Sequence, residues 1–80
     1  MRMSYDPRYN IAYMRFHELQ EDVETIQISD ELSIDLSSDG MVYGIEFMNA
    51  NEQLKRDDIG KVLIVNEATG ESSELPLDIE

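Results

Sequence analysis

Ile34-Asp35-Leu36-Ser37-Ser38-Asp39-Gly40-Met41-Val42-Tyr43-Gly44-Ile45-Glu46-Phe47 is the stretch on which the fold turns. Apolar side chains recur at every second position on both sides of Ser38-Asp39-Gly40: Ile34 and Leu36 before it, Tyr43, Ile45 and Phe47 after it. A period of two is the signature of a strand with one covered face. Between the two runs Gly40 supplies a positive φ and Asp39 tolerates one, so the segment reads as a hairpin. Gly44, inside the second strand, marks a bulge or a close approach by another backbone. The same residues imitate a calcium loop. Asp35, Ser37, Asp39, Gly40 and Glu46 fall on its positions 1, 3, 5, 6 and 12, with apolar Val42 at position 8. Those oxygens converge on an ion only when the loop lies between two helices. Here the flanks alternate as strands do, so the turn accounts for the residues and no metal is expected.

Upstream, Ile26, Ile28, Leu32, Ile34 and Leu36 all occupy even positions, and Ser29-Asp30-Glu31 interrupts them. The pattern predicts two strands joined by a tight turn. Residues 11–16 place Ala12, Met14 and Phe16 on one side and Ile11 and Tyr13 on the other, which predicts a central strand covered on two faces. Tyr5-Asp6-Pro7 is a short extended piece ended by a proline that cannot donate to a ladder. Downstream, Asn49 with Glu52 three residues on forms a capping box, predicting a helix to about residue 58 stopped by Gly60. Glu52 and Arg56 stand at the favourable i,i+4 spacing. Ala50 and Leu54 give this helix a narrow apolar stripe that must lean on the sheet. Residues 62–65, a polar turn over 66–70, and Leu75, Leu77 and Ile79 predict a second hairpin, with Pro76 confining the last strand to an edge. The fold class is therefore α+β: an antiparallel β-meander sheet with one short helix and a C-terminal β-hairpin. Connections this short exclude parallel pairing.

Eighty residues make a single domain with a thin core. Eighteen acids against six bases give a formal charge of -12, yet 41% of the chain is apolar, enough to fold. Charge alone disfavours direct nucleic-acid binding. No stretch approaches the roughly 20 apolar residues of a membrane span, and residues 1–6 lack the apolar core of a signal peptide. A cytoplasmic location is expected. With no cysteine there is neither a disulfide framework nor thiolate chemistry. The charge is uneven. Residues 1–16 hold Arg2, Arg8 and Arg15 against Asp6, whereas residues 17–54 hold ten acids and no Lys or Arg. Such a block must be solvated or met by a basic partner.

Tyr5-Asp6-Pro7, Ala12-Tyr13-Met14-Arg15-Phe16, Ile34-Asp35, Ser38-Asp39-Gly40, Val42, Gly44-Ile45-Glu46-Phe47 and Asn49-Ala50 occur in that order. Together they resemble domain-of-unknown-function family 2283, small bacterial and phage proteins, over about residues 3–52. The resemblance implies a compact antiparallel sheet packed with a helix and no established activity. Members are often encoded near small toxin-like proteins, so it also implies an antitoxin-like role. On this reading the single domain, residues 1–80, has a family-like core over about 3–58 and an additional hairpin over about 61–79. Residues 17–25 are more acidic than the family pattern, and the resemblance says nothing of the hairpin.

Catalytic chemistry finds little support. His17 has only Glu18 and Glu21 nearby and no second histidine, so a zinc site lacks its ligands. The serines sit in turn contexts, the glycines are scattered, and apart from Glu46 beside Gly44 no carboxylate is predictably buried. Tyr5, Tyr9, Tyr13 and Tyr43 could stack bases, but the three arginines among them are too few against the acidic remainder. Tyrosine serves equally in cores and protein interfaces. A non-enzymatic protein-interaction module without cofactor is expected, antitoxin-like or regulatory, whose acidic surface meets a basic partner, a toxin or a nucleic-acid-binding enzyme. Its contact residues are Asp22, Glu24, Asp30, Glu31, Asp35 and Asp39. The alternative is a nucleic-acid mimic, a phage-type anti-defence inhibitor of a DNA- or RNA-binding enzyme. The two differ in pattern: a mimic needs rows of carboxylates across one face, an interaction module needs acids ringing an apolar centre. So small a sheet also suggests a homodimer. The common premise is a sheet whose oily side is hidden and whose negative side stays wet.

Overall fold

The structure is a computed structural model that describes residues 1–17, 22–54 and 60–77. Its elements run β1 (Arg2–Asp6), β2 (Ile11–Arg15), β3 (Val23–Ser29), β4 (Leu32–Ser37), β5 (Val42–Met48), α1 (Ala50–Leu54), β6 (Lys61–Val65) and β7 (Ser72–Pro76). The first five strands form one antiparallel sheet in the order β1-β2-β5-β4-β3, and β6 and β7 form a separate hairpin. This is the α+β architecture expected from the pattern. Sequence neighbours pair at β1–β2, β3–β4 and β4–β5, but β2 and β3 do not. Instead β5 turns back onto β2, so that β5 is the central strand, between β2 and β4, and β1 and β3 are the edges.

The turns form for the reasons their residues supply. Gly40, at φ +85°, closes the β4–β5 turn, with its amide on the Ser37 carbonyl at 2.9 Å. The Ser37 hydroxyl lies against the Asp39 carboxylate and 3.2 Å from the Met41 carbonyl. In the β1–β2 turn Asp6 accepts the Arg8 amide at 2.9 Å and also holds the Arg8 guanidinium. Gly44 marks both things a strand glycine can mark. The β4–β5 register shifts between Asp35 and Leu36, beside Gly44, so Asp35 opposes Gly44 while Leu36 opposes Val42. The close approach is made by a side chain rather than a backbone: a Cβ on Gly44 would collide with the Tyr13 hydroxyl and ring.

Helix α1 starts where the Asn49 motif places it, but it is capped differently. Asn49 sits at φ +53°, and its amide group donates to Glu31 Oε2 and accepts from Asn10. The first helical amides go to Asn10 instead: the Ala50 amide to its carbonyl and the Asn51 amide to its Oδ1, each at 2.9 Å. Asn10, in the β1–β2 turn at φ +56°, thus ties the helix to the end of the sheet. Gln53 adds a second tie, donating to the Glu31 carbonyl at 2.9 Å. Beside these ties Ala12 and Ala50 are completely buried. The expected helical extension to residue 58, the Glu52–Arg56 pair and Ile79 lie outside the described residues.

Candidate interaction surface

Registration of the five strands sorts their side chains into two faces, because residues opposite one another in a ladder project to the same side. One row, Met3–Met14–Ile45–Ile34–Ile26, is apolar across all five strands. The parallel row Tyr5–Ala12–Phe47–Leu32 lies on the same face. The intervening rows, Arg2–Arg15–Gly44–Asp35–Thr25 and Ser4–Tyr13–Glu46–Ser33–Gln27, lie on the other. Period-two alternation therefore gathers most apolar residues on one side, while Ile11, Tyr13 and Met48 of β2 and β5 lie on the other.

The oily side is only partly hidden: Met3, Met14, Leu32, Ile34, Ile45 and Phe47 are half-buried and Ile26 is exposed. Only Ala12, Tyr43 and Ala50 make up the buried apolar core, and no large side chain is fully buried among the described residues. The inner strand β2 is paired on both edges, but of its residues only Ala12 is buried. Among the described residues the sheet and the helix Ala50–Leu54 supply no second layer of the kind a core needs.

The polar face is not simply negative either. Arg2 and Arg15 stand opposite one another at its β1–β2 side and, with Ser4 and Tyr13, line a cleft of about 210 Å³. Toward β4 and β3, the Tyr13 ring crosses Gly44 so that its hydroxyl donates to Asp35 Oδ2 at 2.7 Å, while Thr25 Oγ1 donates to Asp35 Oδ1 at 2.6 Å. Burial raises the Tyr13 pKa well above the ordinary tyrosine range, and the hydrogen bond to Asp35 raises it further. A phenol held protonated in this way is a cross-strand tie, not a proton-transfer group at neutral pH. Nothing local in the sequence pairs Tyr13 with Asp35, although Gly44 signals that something must lie above it.

The six candidate acids divide. Asp22 is exposed just before β3, Glu24 is exposed within it, and Asp30 and Glu31 are exposed in the turn that follows. These four bracket the edge strand β3, which is exposed along its whole length. Ile26 (40% exposed) and Ile28 (57% exposed) stand between them. Asp35 is apart, half-buried on the polar face and occupied by Tyr13 and Thr25. Asp39 is in the β4–β5 turn, where the Ser37 hydrogen bond holds its pKa below the usual carboxylate value. His17 stacks obliquely on Tyr43, ring centres 6.2 Å apart. Among the described residues no group of three His, Cys, Asp or Glu is placed to hold a metal ion, and no helix is long and apolar enough to cross a membrane. The calcium-like segment is flanked by strands β4 and β5, with Asp35 opposite Gly44 and Glu46 opposite Ser33.

The chain belongs to the family described as protein of unknown function (DUF2283), which matches residues 2–51, the five-stranded sheet and the start of α1. No curated protein and no solved structure matches it.

Proposed function

We propose that this chain is a non-enzymatic interaction module whose acidic β3 edge binds a basic protein partner, in an antitoxin-like or regulatory role. The observation that carries this reading is the arrangement around β3. Four exposed acids, Asp22, Glu24, Asp30 and Glu31, surround two exposed isoleucines on a seven-residue edge strand that contains no Lys, Arg or Pro. Edge strands normally carry such residues to discourage pairing. An incoming basic strand can take the free ladder positions of β3, cover Ile26 and Ile28, and meet carboxylates at both ends. Opposite charge steers the encounter, and apolar burial with main-chain hydrogen bonds holds it. Acids ringing an apolar centre favour this over mimicry of nucleic acid, which calls for carboxylates in rows.

The test is affinity capture from the native host, with the retained protein then purified and titrated. Asp30→Lys with Glu31→Lys should weaken binding at least about tenfold at low salt, and added salt should weaken the unmodified complex. Asp6→Asn, on the opposite edge strand β1, should leave affinity unchanged. Binding that survives the double reversal, or a retained protein that is not basic, would remove the proposal.

A further inference from the structure

We infer that the apolar face of the five-stranded sheet is covered by the same face of a second copy, two sheets closing into one sandwich. The row Met3–Met14–Ile45–Ile34–Ile26 crosses the whole sheet, and no large side chain along it is fully buried. Two packed layers are the stable solution for a sheet with one apolar face, and facing sheets about 10 Å apart bury such rows against each other.

Area and charge both point to a second copy. The chain exposes 6176 Å², whereas a compact monomer of its mass exposes about 4,900 Å². The excess exceeds the roughly 800 Å² that each partner buries in a standard interface. The hairpin β6–β7, exposed along both strands, supplies part of the excess, and the sheet's apolar row, with Met3, Met14, Ile34 and Ile45 half-buried and Ile26 exposed, keeps area that a partner can cover. The charge argument identifies the occupant. In the five strands Asp6, Asp35 and Glu46 project to the polar face, and Glu24, on edge strand β3, is the one acid on the apolar side. A basic partner would find nothing to neutralise there. A second copy presents an equally acid-free centre, and a two-fold axis near Ile34 and Ile45 sets like rows against one another.

This inference shares Ile26 with the β3 edge but responds oppositely to salt. Two chains of charge -12 repel, so screening should tighten their association, while it loosens a complex with a basic partner. Sedimentation equilibrium of the full chain should give a mass twice the 9.2 kDa of one chain, with a dissociation constant that falls as salt is added. Ile34→Lys should raise that constant at least about tenfold. Should that variant lose its β-sheet circular dichroism, Met3→Lys at the far end of the same row replaces it. The absence of native cysteine allows a second readout. A bifunctional thiol reagent spanning about 10 Å should cross-link Met14→Cys into a dimer, and should not cross-link Thr25→Cys, on the polar face. A chain that stays monomeric, a folded lysine variant that dimerises as well as the parent, or faster cross-linking through Thr25→Cys would each overturn the inference.

Discussion

The five-stranded sheet and the β6–β7 hairpin are built from similar strand-forming residues, yet they use them differently. In the sheet, β2, β4 and β5 each have ladder partners on both sides, and their side chains divide into an apolar and a polar face. In the hairpin, Val62 and Leu75 oppose one another and so do Leu63 and Glu74, so apolar groups lie on both faces. All four residues of the run Val62, Leu63, Ile64 and Val65 are exposed, between 38% and 52%. Apolar content therefore does not make a core. A core needs enough paired strands to define a face, and then a second layer to cover it; a two-stranded hairpin alone is marginal in water.

Substitutions can break this contrast, the largest at the sheet's tightest point. Gly44→Ala would force the Tyr13 ring off Gly44, and overpacking of this kind costs about 1–3 kcal/mol. Urea unfolding followed by β-sheet circular dichroism should register it. Gly70→Ala, in the hairpin turn at φ +79° with open space around it, should cost about 1 kcal/mol from the backbone alone. That loss should show as faster amide exchange in β6 and β7, leaving the urea midpoint of the sheet unchanged. A sheet midpoint that moved equally with both substitutions would show the two regions to be one cooperative unit.

Asn10→Ala removes the side-chain cap of α1 and should cost about 1 kcal/mol, the usual worth of a cap. Residues 50–54 should lose their exchange protection first. Tyr13→Phe deletes the hydrogen bond to Asp35 while sparing the ring over Gly44, for about 1 kcal/mol. The pH dependence of this tie has a definite sign. Its folded-state pKa lies above the unfolded value of 10.0, chiefly through burial. The associated stability is whole below pH 10 and is lost as pH rises toward the folded-state value. Urea midpoints should fall in that alkaline range for the parent and less for Tyr13→Phe.

Smallest are the surface charges. The hydrogen bonds from Arg8 and from Ser37 lower the pKa values of Asp6 and Asp39 respectively. Their contribution is present above the ordinary carboxylate value of 3.8 and disappears as pH falls through the lowered ones. Asp39→Asn should flatten part of that acid limb in a pH series of melting temperatures. In the hairpin, Lys61→Gln breaks the exposed Lys61–Glu74 pair, with an effect of at most about 0.5 kcal/mol.

The strands and turns were legible because they are local. Alternation about Ile34, Ile45 and Phe47, and glycine in the Ser38-Asp39-Gly40 turn, act over a few residues. The cap of α1 was not legible, because Asn10 is 41 residues from Asn51 and nothing in its own neighbourhood announces the role. The Arg2–Arg15 juxtaposition and the Tyr13–Asp35 tie were missed for the same reason. At the candidate site, the acidic residues were identified but their grouping was not: Asp35 and Asp39 read like Asp30 and Glu31 until register and turn geometry separate them.

The amino-acid order alone determined the succession of strands and turns, that pairing is antiparallel, and that the molecule is strongly acidic. These follow from side-chain period, turn stereochemistry and composition. Only the tertiary structure decided that β5 returns to β2, that β3 with its neighbouring acids lies at an edge, and that the described residues cover the apolar face only in part. Those outcomes depend on which distant segments pair and on how many layers one short chain can assemble, and neither is encoded in the spacing of neighbouring residues.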